Sequence, residues 1–135
     1  MAKSAYLLRE FTALGLQARR VRWLYHLPPQ PAEVVLLPSR EDVHTAVEVH
    51  IGTAWVLVDA THDPALAAAG LTVAADWDGV ASTAPAYPPA GPIWRAGDAG
   101  PEPTPNASCR EAFDPAAGRA YRAAFNRWLR AVRAT

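Results

Sequence analysis

The sequence is poor in cysteine and has no long apolar run. Its one cysteine, Cys109, has no partner for an intramolecular disulfide, so nothing indicates an oxidising compartment. No apolar stretch approaches the roughly 20 residues that a membrane-spanning helix needs, and the N-terminus lacks the basic-then-apolar order of a signal peptide. We therefore expect a cytoplasmic protein that does not act on membranes.

The chain also lacks an excess of charge of either sign, with 13 Lys and Arg residues against 13 Asp and Glu residues. A balanced chain has no long-range field that attracts polyanions, so we expect no nucleic-acid partner. Positive charge is instead local, and it recurs at helical spacing near the C-terminus, at Arg119, Arg122, Arg127, Arg130 and Arg133. Such a set is typical of a solvated helix face, and covering a partner is the alternative.

Apolar residues are plentiful enough for a real core. Half of the 135 residues are hydrophobic and five are tryptophan. Single domains most often run to about 100–150 residues. We therefore expect one domain spanning residues 1–135.

Apolar periodicity predicts a helix at each end of the chain. From Ser4 to Leu14 apolar residues recur every three or four positions, and Gly15 follows as a C-terminal cap. A similar pattern near the C-terminus predicts an amphipathic helix, with Asp114 as its N-cap and Pro115 as its first residue. Both apolar stripes should pack on the body of the domain.

Alternating residues between the helices predict an antiparallel sheet. The predicted strands are QARRVRWLYHL (17–27), EVVLLPS (33–39), HTAVEVHI (44–51) and AWVLVDAT (54–61). A polar turn is predicted at 39–42, and a hairpin turn at Gly52 and Thr53. From Pro64 to Pro105 the glycines and prolines predict a long irregular segment anchored by Trp77 and Trp94. The predicted fold class is α+β, with an N-terminal helix packed on the sheet and a C-terminal amphipathic helix.

The predicted hairpin places a histidine and a carboxylate on one face. If Ile51 lies opposite Ala54, His44 and Asp59 become diagonal neighbours. Such a carboxylate can orient the imidazole, and the histidine can then take a proton from a thiol or hydroxyl. Hydrogen bonding within the sheet is the alternative. The opposite face should be core, and it carries Thr45, Val47, Val49, Ile51, Val56, Val58 and Ala60.

The stretch HTAVEVHIGTAWVLVDATHD resembles the core of the transglutaminase-like superfamily, whose members have a papain-like cysteine-protease fold. In that family a histidine opens one strand, and a turn glycine, a tryptophan and an Asp-x-Thr ending follow. The matching positions are His44, Glu48, Val49, Gly52, Trp55, Asp59 and Thr61. YLLREFTALGLQAR also resembles the family's first helix. DPALAAAGLTVAADWDGVAST and FNRWLRAVR are similar to segments of a bacterial branch.

The resemblance implies a cysteine-dependent amide hydrolase or acyltransferase acting on a peptide or protein, with His44 as base and Asp59 as its orienter. The chain departs from the family at Ala46, where many members have an aromatic residue, and at Ala60, where proline is frequent. The third departure is the absence of the nucleophilic cysteine. In the family this cysteine opens the first helix, where the helix dipole favours thiolate.

Two hypotheses follow from the missing nucleophile. Counting back from Gly15 puts the family's cysteine immediately before Met1, so the chain could be an enzyme that lacks its N-terminal part and is inactive as given. The alternative is a non-catalytic scaffold that binds a peptide or protein beside His44, with Trp23, Trp55 or Trp77 nearby.

Two other candidate sites are less favoured. Cys109 could supply a thiol, but the neighbouring prolines predict a loop there and not a helix start. A zinc site is the other candidate, formed from His26, His44, His50 and His62. No two of these have the spacing of ligands on a helix, and there is no cysteine pair. We expect no metal and no cofactor, whereas the substrate and the oligomeric state stay open.

Overall fold

The computed structural model describes residues 3–32, 34, 41–105 and 115–134. Its helices are α1 (Lys3–Ala13), α2 (Pro115–Arg133) and a short 3-10 helix (Pro64–Ala69). Its strands are β1 (Ala18–His26), β2 (Glu41–Ile51), β3 (Ala54–Val58) and β4 (Trp94–Arg95). These four strands form one antiparallel sheet in the order β3-β2-β1-β4, so the predicted α+β class is confirmed.

Helix α1 ends as the sequence predicts and packs on one face of the sheet. Gly15 has a φ of 77°, and its N–H donates to the Thr12 carbonyl at 3.0 Å. A glycine takes this left-handed conformation without a Cβ clash, which stops the helix. Phe11 is buried in a cluster with Val47, Val49, Val56 and Val58.

Strands β2 and β3 form the predicted hairpin, with Ile51 opposite Ala54. Two boundaries differ from the prediction. Strand β3 ends at Val58, so residues 59–61 lie beyond the ladder. Strand β2 begins at Glu41, so the predicted polar turn is wrong for Glu41 and Asp42. The reason is that β1 is long enough to pair with both of these residues.

The pleat of β2 separates the two faces of the sheet. Val47 and Val49 contact the α1 side, whereas Ala46 packs on the other side in a cluster with Val21, Trp23 and Tyr25. The face predicted to be core is buried at its four valines and half-buried at Thr45, Ile51 and Ala60. Each face therefore has its own apolar cluster.

The segment from Pro64 to Pro105 is irregular, as predicted, except for the 3-10 helix and β4. Trp77 packs edge-on against Phe11, with ring centroids 6.1 Å apart. Trp94 lies in β4 opposite Arg22 of β1. Both tryptophans thus anchor the segment, but on different parts of the sheet.

Helix α2 packs on the 3-10 helix and buries Gly118 and Ala124. The arginines of the predicted C-terminal set are all exposed, and Arg133 donates to Asp63. Asp114, Cys109 and the strand predicted at 33–39, apart from Val34, lie outside the described residues. No helix in the described ranges is long and apolar enough to cross a membrane.

Candidate functional site

The structure brings His44 and Asp59 together near the start of β2 and just after the end of β3. His44 Nε2 lies 2.8 Å from Asp59 Oδ2. His44 is 6% exposed and Asp59 3% exposed, so solvent screens their interaction weakly. The pair lies on the face of the sheet opposite α1, because His44 is directly across from the buried Trp23 of β1.

The Asp59 carboxylate accepts four hydrogen bonds. Oδ2 accepts from the His44 ring at 2.8 Å and from the Ala86 N–H at 2.7 Å. Oδ1 accepts from the Thr61 hydroxyl at 2.7 Å and from the Thr61 N–H at 3.3 Å. Burial raises the pKa of Asp59, but the bonds from His44, Thr61 and Ala86 outweigh burial and lower the pKa below its usual value. Asp59 is therefore an ionised acceptor at neutral pH.

The ionised carboxylate determines the tautomer of His44. Because a carboxylate only accepts hydrogen bonds, the proton between the two side chains sits on Nε2 of His44. In the neutral ring the lone pair is then on Nδ1. No hydrogen bond reaches Nδ1 from the part of the chain that the structure describes. A neutral His44 therefore offers Nδ1 as a hydrogen-bond acceptor that none of these residues occupies.

Three aromatic rings surround the imidazole of His44. The centroid distances are 4.8 Å to Trp23, 5.9 Å to Tyr25 and 5.2 Å to Tyr87. Trp23 and Tyr25 come from β1, whereas Tyr87 comes from the irregular segment. Tyr25 and Tyr87 stack on each other at 4.3 Å, which makes one continuous aromatic wall.

The two tyrosine hydroxyls in this wall stay protonated at neutral pH. Burial raises the pKa of Tyr87 to about 12, and the charges of Tyr121, Asp59 and Asp42 add to that effect. Burial likewise raises the pKa of Tyr25, with Asp42 as the next contribution. Both phenols are therefore uncharged at neutral pH, and the Tyr87 hydroxyl bonds His62 Nε2 at 2.9 Å.

Only part of these surroundings matches the prediction from the sequence. Trp23 lies beside His44, but Trp55 and Trp77 do not. Trp55 packs on His50 at 5.2 Å, and Trp77 packs on Phe11 on the α1 side. Neither Tyr25 nor Tyr87 was predicted to line the site. The alternation around Trp23 could have indicated Tyr25, whereas no local pattern marks Tyr87.

The N-terminal end of α1 lies next to the same loop. Lys3 Nζ donates to the Thr61 carbonyl at 3.1 Å and forms an ion pair with Asp63. The Thr61 hydroxyl oxygen is 3.5 Å from His44 Nε2, at the outer limit of a hydrogen bond. The first turn of α1 is therefore linked through Thr61 to the His44–Asp59 pair.

A second buried carboxylate, Glu48, lies on the same face of β2. Arg19 Nε donates to it at 2.8 Å and Arg95 Nε at 3.2 Å, so the cluster joins β1, β2 and β4. Arg19 also lies 4.0 Å from the centre of the Trp55 ring. Glu48 is compensated by two cations, so it holds the strands together and does not offer a free acid or base.

The four histidines do not gather into a zinc site. Both ring nitrogens of His62 are occupied, Nδ1 by the Thr72 carbonyl at 2.7 Å and Nε2 by the Tyr87 hydroxyl at 2.9 Å. His50 packs on Trp55, and His26 is exposed at the end of β1. Among the described residues, no three His, Cys, Asp or Glu side chains come close enough to hold a metal ion.

Comparison of the chain with models of known protein families, with curated proteins and with solved structures found no match. Function is therefore inferred from the geometry around His44, together with the resemblance carried by the hairpin and the first helix.

Proposed function

We propose that this chain provides the histidine–carboxylate pair of a cysteine-dependent amide hydrolase or acyltransferase with a transglutaminase-like core. The observation that carries this proposal is the buried 2.8 Å bond from His44 Nε2 to Asp59, which leaves Nδ1 as the accepting atom. In the proposed role Nδ1 takes the proton of a thiol. Asp59 keeps the ring in the required tautomer and stabilises the imidazolium that forms.

The position of α1 supports a thiol as the nucleophile. The N-terminal end of a helix stabilises a negative charge, and a nearby imidazolium stabilises it further, so a cysteine there is held as thiolate. The resemblance puts the family's cysteine at this end of the helix. Here that end contacts the loop of the pair through the 3.1 Å bond from Lys3 to Thr61.

The proposed reaction is acyl transfer from an amide. The thiolate attacks the carbonyl carbon, the C–N bond breaks, and imidazolium His44 gives its proton to the departing amine. A thioester remains. Water or a second amine then attacks it while Nδ1 accepts the proton, and the thiolate leaves. Water makes the protein a hydrolase, and an amine makes it an acyltransferase.

A peptide- or protein-binding scaffold is the second candidate, and the edge strand β3 favours it. Strand β3 is at one end of the sheet, and its Trp55 is 38% exposed beside Arg19. Ser82 and Thr83 already bond the outward N–H and C=O of Leu57, so in this role an extended peptide adds its backbone hydrogen bonds beside Trp55. This function needs no nucleophile.

The test of the proposed chemistry adds a cysteine-bearing extension directly before Met1 and measures alkylation of its thiol by iodoacetamide against pH. With His44 as partner, we expect alkylation at pH 6 to be about tenfold faster than for a thiol of ordinary pKa. His44→Ala should remove this advantage and Asp59→Asn should reduce it. His26→Ala, which changes an exposed histidine on β1, is the matched control and should have no effect.

The same variants are then assayed for release of 4-nitroaniline from an acyl 4-nitroanilide. Activity that requires both the added cysteine and His44 supports the proposed function. Alkylation and cleavage that are indifferent to His44 in the folded protein would refute it. Binding of extended peptides that is lost in Trp55→Ala, without any effect of His44 on the thiol, would favour the scaffold.

A further inference from the structure

His62 is a buried histidine that the proposed chemistry does not use. It follows Thr61 in the loop after β3 and is 7% exposed. Its Nδ1 lies 2.7 Å from the Thr72 carbonyl oxygen, and its Nε2 lies 2.9 Å from the Tyr87 hydroxyl. This histidine therefore links its own loop to the irregular segment that supplies Tyr87.

The two partners determine where the ring proton of His62 sits. A carbonyl oxygen only accepts, so Nδ1 carries the hydrogen that bonds Thr72. In the neutral ring Nε2 then has the lone pair, and it accepts from the Tyr87 hydroxyl. The Tyr87 hydroxyl therefore donates its hydrogen to His62 Nε2.

The dipeptide Ala86–Tyr87 contacts Asp59, His44 and Trp23. The Ala86 N–H donates to Asp59 Oδ2 at 2.7 Å, and the Tyr87 carbonyl accepts from Trp23 Nε1 at 2.9 Å. The Tyr87 ring packs edge-on against His44, with centroids 5.2 Å apart and planes at 78°. One short stretch of chain thus touches the carboxylate, the imidazole and the tryptophan across from it.

We infer that Tyr87 is a positioning residue for His44, and that His62 is the acceptor that holds Tyr87 in place. The inference rests on the proposed function of the His44–Asp59 pair. The Tyr87 ring, nearly perpendicular to the imidazole, restricts its rotation, which keeps Nε2 on Asp59 and Nδ1 available. In this role Tyr87 and His62 act through His44 and take no part in the making or breaking of bonds.

The backbone of Tyr87 is not part of a helix or strand, so individual bonds hold this residue: its hydroxyl bonds His62 and its carbonyl accepts from Trp23. The next two residues are Pro88 and Pro89, which have no N–H to donate. The segment is tied down again at Ala90, whose N–H donates to the Leu24 carbonyl at 2.8 Å. Between the backbone bonds of Ala86 and Ala90, the bond from the Tyr87 hydroxyl to His62 fixes the side chain of Tyr87.

The test follows the imidazole of His44 by 15N NMR in the chain as it stands. We expect wild-type His44 to show a single neutral tautomer, protonated on Nε2. Tyr87→Leu removes the ring and His62→Leu removes the acceptor, so about a tenth or more of His44 should populate the other tautomer in each. Tyr87→Phe keeps the ring without the hydroxyl and should fall between these variants and the wild type.

His62→Gln is the rescue variant. A glutamine amide can donate N–H to the Thr72 carbonyl and accept from the Tyr87 hydroxyl, so it should restore the single tautomer of His44. Tyr6→Leu is the matched control, because Tyr6 is a tyrosine of α1 that is 50% exposed. A role limited to stability would lower the melting temperature of the leucine variants without moving the tautomer in the folded fraction.

The inference is overturned if His44 keeps one tautomer in both leucine variants while they are folded. If those variants do not fold, Tyr87→Phe and His62→Gln decide. A Tyr87→Phe protein in which His44 has a single tautomer would overturn the inference. A His62→Gln protein in which His44 populates both tautomers would also overturn it. The proposed function fails separately, through thiol alkylation that ignores His44.

Discussion

Replacing Asp59 by asparagine keeps the shape of the side chain and removes its charge. Four donors point at the carboxylate, two at Oδ2 and two at Oδ1. Asparagine has one accepting oxygen, and its NH2 group donates. If the amide nitrogen takes the place of Oδ2, His44 can adapt by moving its proton to Nδ1 and accepting from the amide. The Ala86 N–H can only donate, so it loses its acceptor.

The magnitude follows from these lost bonds. A buried N–H without a partner costs about 1–3 kcal/mol, and losing a hydrogen bond to a charged group costs about 1.5–3 kcal/mol. We therefore expect Asp59→Asn to lower the free energy of unfolding by about 3 kcal/mol at pH 7. Urea denaturation followed by tryptophan fluorescence measures this difference.

The lowered pKa of Asp59 makes the free energy of unfolding fall as the pH becomes acid. A carboxyl with a lower pKa in the folded state stabilises that state above its unfolded pKa of about 3.9, and the stabilisation is lost as the pH falls through the folded pKa. Below about pH 4 the wild type should therefore lose stability more steeply than Asp59→Asn. The difference in free energy of unfolding between the wild type and Asp59→Asn should therefore become smaller below about pH 4.

Asp76→Asn is the matched control for the loss of a carboxylate. Asp76 is exposed and has a φ of 56°, which asparagine tolerates, so its free energy of unfolding should change by no more than about 0.5 kcal/mol. An Asp59→Asn effect below about 1 kcal/mol would refute the four-bond arrangement around the carboxylate. A gap that stays constant from neutral to acid pH would refute the ionised state.

Further substitutions test the Gly15 cap of α1 and the Glu48 ion cluster. Gly15→Ala puts a Cβ at a φ of 77° and should cost about 1 kcal/mol in thermal unfolding, whereas Gly91→Ala should be nearly neutral; equal losses would contradict the cap. Glu48→Gln should cost about 2 kcal/mol in urea unfolding because Arg19 and Arg95 lose a charged acceptor. Arg95→Gln should then cost less in the Glu48→Gln background than alone, and additive losses would contradict the ion cluster.

The end of α1 and the hairpin could be predicted because their signals are local. Gly15 follows a 3.6-residue stripe, and Gly52 lies between two alternating runs. Once the turn is placed, the period of two in a strand assigns every side chain to a face. That is why the sequence alone predicts His44 and Asp59 on the same side of the hairpin.

The surroundings of His44 could not be predicted, because they depend on contacts distant in the chain. Tyr87 and His62 lie in segments without periodicity, and β4 has only two residues, too few to show a pattern. The resemblance suggested Trp55 near His44. Trp55 is instead directly across from His50, at the turn end of the hairpin. The predicted register, with Ile51 opposite Ala54, already implies this position of Trp55, so for this residue the hairpin was a better guide than the resemblance.

Strand β2 uses alternate positions for two different purposes. Val47 and Val49 face α1, whereas His44, Ala46 and Glu48 lie on the face of the aromatic wall and the ion cluster. Inserting one residue between His44 and Val47 would put the imidazole among the valines and a valine among the tyrosines. Inserting two would keep both faces. The length of this strand can therefore change only in steps of two, unless a bulge absorbs the extra residue.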